Sequence, residues 1–147
     1  MSRPLEVIAL DVEGTLISNA VSQIARPDLR VFLEFCAKAV PRVVIYTSVR
    51  EEKFRQIAGT LVGEGLAPEW FLTVEYVDWS GKHKDLRKIP HVDVSRTVLV
   101  DDFEGYVYPG QEEQWISIRS YAAPYGADDD EFTRVQRVIE ERWGCAV

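Results

Sequence analysis

Short apolar runs that stop at polar groups set the rhythm of this chain. Val7-Ile8-Ala9-Leu10 is continuously apolar and ends at Asp11-Val12-Glu13-Gly14. Arg42 to Tyr46 (RVVIY) ends at Thr47-Ser48, and Thr97 to Val100 ends at Asp101-Asp102. Unbroken apolar runs of this length predict strands covered on both faces, not half-exposed strands with alternating pattern. Between the strands the apolar period lengthens to helical spacing. Leu29, Phe32, Leu33 and Cys36 define one face, Phe54, Ile57, Ala58, Leu61 and Val62 a second, and Phe132, Val135, Ile139 and Trp143 a third.

The punctuation agrees. Pro27 suits the first turn of a helix, Pro41 closes that helix, and Gly63 and Gly65 end the next. The acidic stretch 127–131 opens the last helix, where its charge opposes the helix dipole. Phe71 to Val77 predicts a third strand, with a β-hairpin turning at Ser80-Gly81 and returning through Lys82-His83-Lys84. A short helical piece is expected at Asp85 to Ile89, and a short fifth strand at Gln114 to Ile118. Strands alternating with helices predict one α/β domain over residues 1–147. Its Rossmann-like sheet is mostly parallel, with helices on both faces and a small β-hairpin insertion.

Charge narrows the function. With 17 Lys and Arg against 24 Asp and Glu the net charge is -7, which argues against general nucleic-acid or membrane-surface binding. It does not exclude an anionic substrate, because a local site can oppose the global charge. Cys36 and Cys145 are expected to be free thiols, and no secretory leader or membrane-spanning run is evident. A cytoplasmic location is the default expectation; nothing in the pattern fixes an oligomeric state.

A parallel sheet places all the polar strand ends along one edge. Asp11 and Glu13, Thr47 and Ser48, and Asp101 and Asp102 would therefore gather, with Lys84 in the loop before the last pair. Clustered carboxylates repel unless a cation lies among them, and all-oxygen ligands select a hard cation, Mg²⁺ above all. Cation, ammonium and hydroxyl together suit a phosphoryl group. An aspartate there can attack phosphorus and become an aspartyl-phosphate, and Glu13 can exchange protons with the leaving oxygen and with water. Each residue also has an ordinary reading. Thr47 can be a helix cap, Asp101-Asp102 a turn, and Lys84 competes with Lys82 and Lys88.

The order Asp11-x-Glu13-Gly14-Thr15-Leu16, Thr47, Lys84, Asp101-Asp102 resembles the four motifs of the haloacid dehalogenase (HAD) superfamily of phosphohydrolases. Arg26-Pro27 with Phe32-Leu33, Tyr46-Thr47-Ser48, Lys84-Asp85-Leu86, Val100-Asp101-Asp102 and Trp115-Ile116-Ser117-Ile118 make it most similar to the small carboxy-terminal-domain phosphatase, NLI-interacting-factor-like branch. The resemblance implies that Asp11 is nucleophile and metal ligand. It implies that Glu13 is the general acid/base and lends its backbone carbonyl to the metal. Thr47 would bind phosphate with Ser48 beside it, and Lys84 would balance charge on nucleophile and phosphate; the Lys-Asp-Leu match selects it over its rivals. Asp102 is then the favoured direct Mg²⁺ ligand and Asp101 the near alternative.

One residue departs from the pattern. The superfamily's usual acid/base is aspartate, and this chain has Glu13. The superfamily's cap domains follow the first or second strand, and neither gap has room for one. The implied function is a Mg²⁺-dependent phosphatase whose open site admits a phosphoprotein or another bulky substrate, with Tyr76, Trp79, Tyr106 and Tyr108 placed to flank the cleft. Phosphoserine or phosphothreonine peptide, phosphotyrosine, nucleic-acid end and small metabolite all remain open. A phosphatase-like binding module with little catalysis is the alternative. A signalling receiver domain also gathers acids, a hydroxyl and a lysine, but there the acidic pair comes first and the lysine last.

Overall fold

A computed structural model describes residues 4–144. Five strands form one sheet in the order β3-β2-β1-β4-β5, and every pairing is parallel. They are β1 Val7–Leu10, β2 Arg42–Ile45, β3 Glu75–Tyr76, β4 Thr97–Asp101 and β5 Trp115–Ser117. The helices are α1 Leu29–Ala39, α2 Glu51–Gly63 and α3 Glu131–Trp143. In register, Leu10 lies between Ile45 and Val100, so the three polar strand ends emerge at the same level.

Residue parity along the strands divides the core in two. Ile8, Leu10, Ile45, Val98 and Val100 point to a large cluster with Phe32, Phe54, Ile57, Phe132 and Ile139. All three α-helices pack on that face. Val7, Ala9, Val44, Tyr46 and Leu99 point the other way and meet Val77, Leu86 and Ile89. The expectation of helices on both faces therefore holds unequally, because among the described residues the second face carries the short 3-10 segments Leu86–Lys88 and Val94–Arg96. Two-sided cover explains why the central strands read as unbroken apolar runs.

Two local expectations are corrected. Phe71 to Val77 is not one strand. Glu69–Thr73 winds as a 3-10 helix that sets Phe71 edge-on to Phe54 at 5.4 Å, and pairing with β2 begins only at Glu75. Burying Phe71 against α2 outcompetes extension of an edge strand. The hairpin at Ser80-Gly81 does not form either. The Lys84 backbone N–H donates to Tyr106 O at 2.8 Å, in a parallel bridge to the 103–107 loop, so the segment cannot fold back on itself. The short helical piece after Asp85 is present, and β5 spans the core of the expected fifth strand.

The 18–26 connection closes on itself through an Ile17–Ala25 bridge and forms no separate cap. Cys36 is a buried free thiol, and burial pushes its pKa up; Cys145 lies outside the described residues. Among the described residues, no helix is long and apolar enough to cross a membrane.

Candidate active site

Asp11 follows β1 directly, and its backbone N–H bonds back to Val100 O at 3.1 Å, which holds it against the end of β4. Asp101 is the last residue of β4 and is fully buried. Between them lies the Lys84 ammonium, with no exposed surface. It donates to Asp11 Oδ1 at 2.9 Å and to Asp101 Oδ2 at 2.5 Å, and lies 4.5 Å from the centre of the Tyr106 ring. Lys82 and Lys88, its rivals in the sequence, are both exposed.

Asp102 completes the group. One carboxylate oxygen from each of Asp11, Asp101 and Asp102 lies within 4.8 Å of the others. Asp101 is already engaged: its Oδ1 accepts the Phe103 N–H at 2.9 Å and its Oδ2 the lysine. Asp102 is half-buried and is held by the turn after β1. The Thr15 hydroxyl lies 3.1 Å from Asp11 Oδ2 and 3.4 Å from Asp102 Oδ1, joining the two acids. Gly14 adopts φ +74, and a Cβ there would stand 2.3 Å from Asp102 Oδ2. Only glycine fits both the left-handed backbone and the closeness of that carboxylate.

Electrostatics follow from this crowding. Burial raises the Asp11 pKa, to about 7, against the pull of the Lys84 ammonium, and Asp101 raises it further. Burial likewise raises Asp101 despite the same lysine. Burial alone would lower Lys84, but Asp11 and Asp101 outweigh it and keep the ammonium charged. Three carboxylates gather here and one ammonium pairs with two of them, so negative charge is left over, and every free donor is oxygen. That donor set fits a hard divalent cation.

The other expected site residues are placed as follows. Thr47 is buried after β2; its Oγ1 accepts the Val49 N–H at 3.1 Å, which turns the chain toward α2. Ser48 is exposed beside it. The Glu13 carboxylate is not in the acidic group: its Oε2 accepts the Ala20 N–H at 2.7 Å and so is tied to the 18–26 connection. An open cleft of about 520 Å³ begins at Thr47 and Ser48 and runs between α2 and the 76–81 segment. Tyr76, Trp79 and Tyr106 wall it, and the Trp79 indole N–H is fastened to Thr47 O at 2.6 Å. Tyr108, expected at the cleft, instead meets His83 at 5.9 Å and Arg87 at 4.9 Å.

The family model for NLI interacting factor-like phosphatases matches residues 6–144, nearly the whole chain. The chain belongs to that family. The motif residues Asp11, Lys84 and Asp101-Asp102 lie together at one sheet edge, and Thr47 follows the neighbouring strand. Among solved structures the chain is similar to the fission yeast RNA polymerase II CTD phosphatase Fcp1 bound to beryllium fluoride, with a TM-score of 0.56 at 15% identity. That match covers 96% of this chain and 51% of the other, so the chain spans about half the length of Fcp1; at this identity the likeness establishes the fold. No curated protein matched the sequence.

Two residues of this site carry more than their sequence showed. Thr15 sits inside the Asp-x-Glu-Gly-Thr motif without a role of its own there, yet its hydroxyl joins two carboxylates. Arg26 entered the sequence pattern only as the partner of Pro27; it is 1% exposed. Its signal was the acidic run at 128–130, too far along the chain to be paired with it by pattern.

Proposed function

We propose that this protein hydrolyses phosphomonoesters through an aspartyl-phosphate on Asp11 with Mg²⁺ as cofactor. One observation carries this reading: three carboxylates converge where the parallel strands end, two of them paired with a single fully buried ammonium. Asp11, Asp102 and Asp101 would hold Mg²⁺, with Asp102 the direct ligand favoured, because lysine and a backbone N–H already engage both oxygens of Asp101. Bound there, Mg²⁺ supplies positive charge against the phosphate oxygens.

Asp11 Oδ2 attacks phosphorus while the ester oxygen leaves with the shared electron pair. Lys84 holds Asp11 Oδ1 and so aims the other oxygen. Thr47 and Ser48 lie at the mouth of the cleft, where they bind phosphate oxygens. Glu13 gives its proton to the departing oxygen and then takes one from the water that hydrolyses the acyl phosphate. For this it must leave the Ala20 N–H. The cleft is open and uncapped, which suits a phosphorylated protein segment or another bulky ester; Fcp1, the structural neighbour, is by name a phosphatase of the RNA polymerase II CTD.

The test is turnover of an aryl phosphate with and without Mg²⁺. Multiple turnover that needs Mg²⁺ and vanishes in Asp11→Asn supports the reading; the same turnover retained in Asp11→Asn refutes it. The tethered Glu13 favours a second reading, a phosphatase-like binding module. Mg²⁺ binding without turnover in the wild type, with turnover gained in Glu13→Asp, would establish that one instead.

A further inference from the structure

The acids of the site are held by a turn, and that turn is held by one buried cation. Thr15 joins Asp11 to Asp102, and Gly14 lets Asp102 come close. The carbonyls of these same two residues accept hydrogen bonds from Arg26 Nη1, each at 3.2 Å. Arg26 Nη2 donates to Arg119 O at 2.6 Å, and Nε and Nη2 clasp the Asp129 carboxylate at 3.0 Å each. The guanidinium lies between the rings of Tyr121 and Phe132, 5.3 and 5.6 Å from their centres. Phe132 in turn stacks on Phe32 of α1 at 4.3 Å. A second strut runs parallel, since the Tyr121 N–H donates to Gly14 O at 2.8 Å.

We propose that Arg26 and Asp129 are positioning residues, which lock the Gly14–Thr15 turn in the one conformation that presents Asp11 and Asp102 together. The proposal rests on the roles given to those two acids above. The chemistry of the guanidinium is what the place requires. It stays charged when buried, and its planar fork reaches carbonyls on one side and a carboxylate on the other. Lysine has a single nitrogen and cannot span both. Asp129 matters because it alone supplies the opposing charge in this ion pair and is itself fixed at the start of α3, where its Oδ1 also accepts the Glu131 N–H. The last helix is thereby tied to the nucleophile's turn. No contact of Arg26 with the acids themselves is needed; it acts through the backbone between them.

Three variants of the full chain, Arg26→Lys, Asp129→Asn and Asp129→Glu, test this, each first checked for a cooperative thermal transition. With an aryl phosphate and Mg²⁺, kcat is expected to fall about 10- to 100-fold in Arg26→Lys and Asp129→Asn, since small misplacements of reacting groups are this costly. KM should stay within about threefold, because the lost interaction is one of alignment. Asp129→Glu keeps the anion and should recover most of the loss. Amide hydrogen exchange gives a readout independent of turnover. Thr15 and Leu16, whose N–H groups bond to Val12 O, should exchange about tenfold faster in Asp129→Asn while β1 and β4 amides hold their protection. Folded variants with wild-type kcat and wild-type exchange at these two amides overturn the proposal. So does acceleration spread evenly over the fold, which marks a merely structural pair. If Arg26→Lys does not fold, the two Asp129 variants decide. A wild type without turnover overturns the phosphatase reading, and the exchange arm then decides this proposal by itself.

Discussion

Lys84→Met removes the buried positive charge of the site while keeping the length of the side chain. Asp11 and Asp101 then face each other with no ammonium between them, in a place with almost no solvent. Breaking a buried pair by deleting one partner costs about 3–5 kcal/mol. The two pairs share one ammonium, so this cost is counted once. Asp11 is already raised to about 7 in the folded protein, so at pH 7 it takes up a proton at little cost, and the loss falls mainly on the pair with Asp101. The expected loss at pH 7 is therefore at the lower end, about 3 kcal/mol, or ~6–12 °C in Tm for a domain of this size.

The pH dependence gives the sign. Both acids already have folded pKa values above their unfolded ones, and removal of Lys84 drives them higher. Such groups favour the folded state fully below the unfolded pKa and lose that contribution as pH rises through the folded pKa. The deficit of the variant against wild type should thus be small near pH 4 and largest at pH 8. Urea denaturation of both proteins across this range, followed by circular dichroism in the presence of a chelator, measures it. A variant that matches the wild type at pH 8, or whose deficit is the same at pH 4, would refute the reasoning.

Three further outcomes are expected. Gly14→Ala meets a left-handed backbone and the Asp102 carboxylate 2.3 Å away, so it should cost about 1–2 kcal/mol in urea melts and weaken Mg²⁺ binding by calorimetry. Asp85 is held below the usual carboxylate range, at about 2, by the Arg87 side chain against the opposing effect of burial, with the Arg87 N–H and Gln111 adding to it. A depressed carboxyl contributes stability above its unfolded pKa and loses it as pH falls through the folded one. Arg87 is largely exposed, so Asp85→Asn should cost about 1 kcal/mol at pH 7 and close to nothing at pH 2, by paired melts. Phe132→Ala removes the ring stacked on Phe32 and flanking Arg26, and should lower stability by about 3–5 kcal/mol in chemical denaturation.

The strand ends were legible for a physical reason. A parallel strand covered on both faces must be apolar along its buried length, and the chain turns polar where it leaves the sheet. Val7 to Leu10 and Thr97 to Val100 met that condition, so Asp11 and Asp101 marked one edge before any coordinates. The helices were legible by the same logic of burial at a different period. Phe71 misled because one aromatic ring packs as well from a 3-10 turn as from a strand, and only the position of Phe54 chose between them.

From the sequence alone came the parallel sheet, the order of the motifs and the set of acids, since each depends on near neighbours along the chain. The tertiary structure alone decided which lysine is buried, where Glu13 rests, how closely Asp102 approaches Gly14 and what Arg26 does. Those depend on partners far apart in the chain: Lys84 and Asp11 are separated by 73 residues, Arg26 and Asp129 by 103. A buried charge has meaning only with its counter-charge, and the folded sheet edge, not the local pattern, brings the two together.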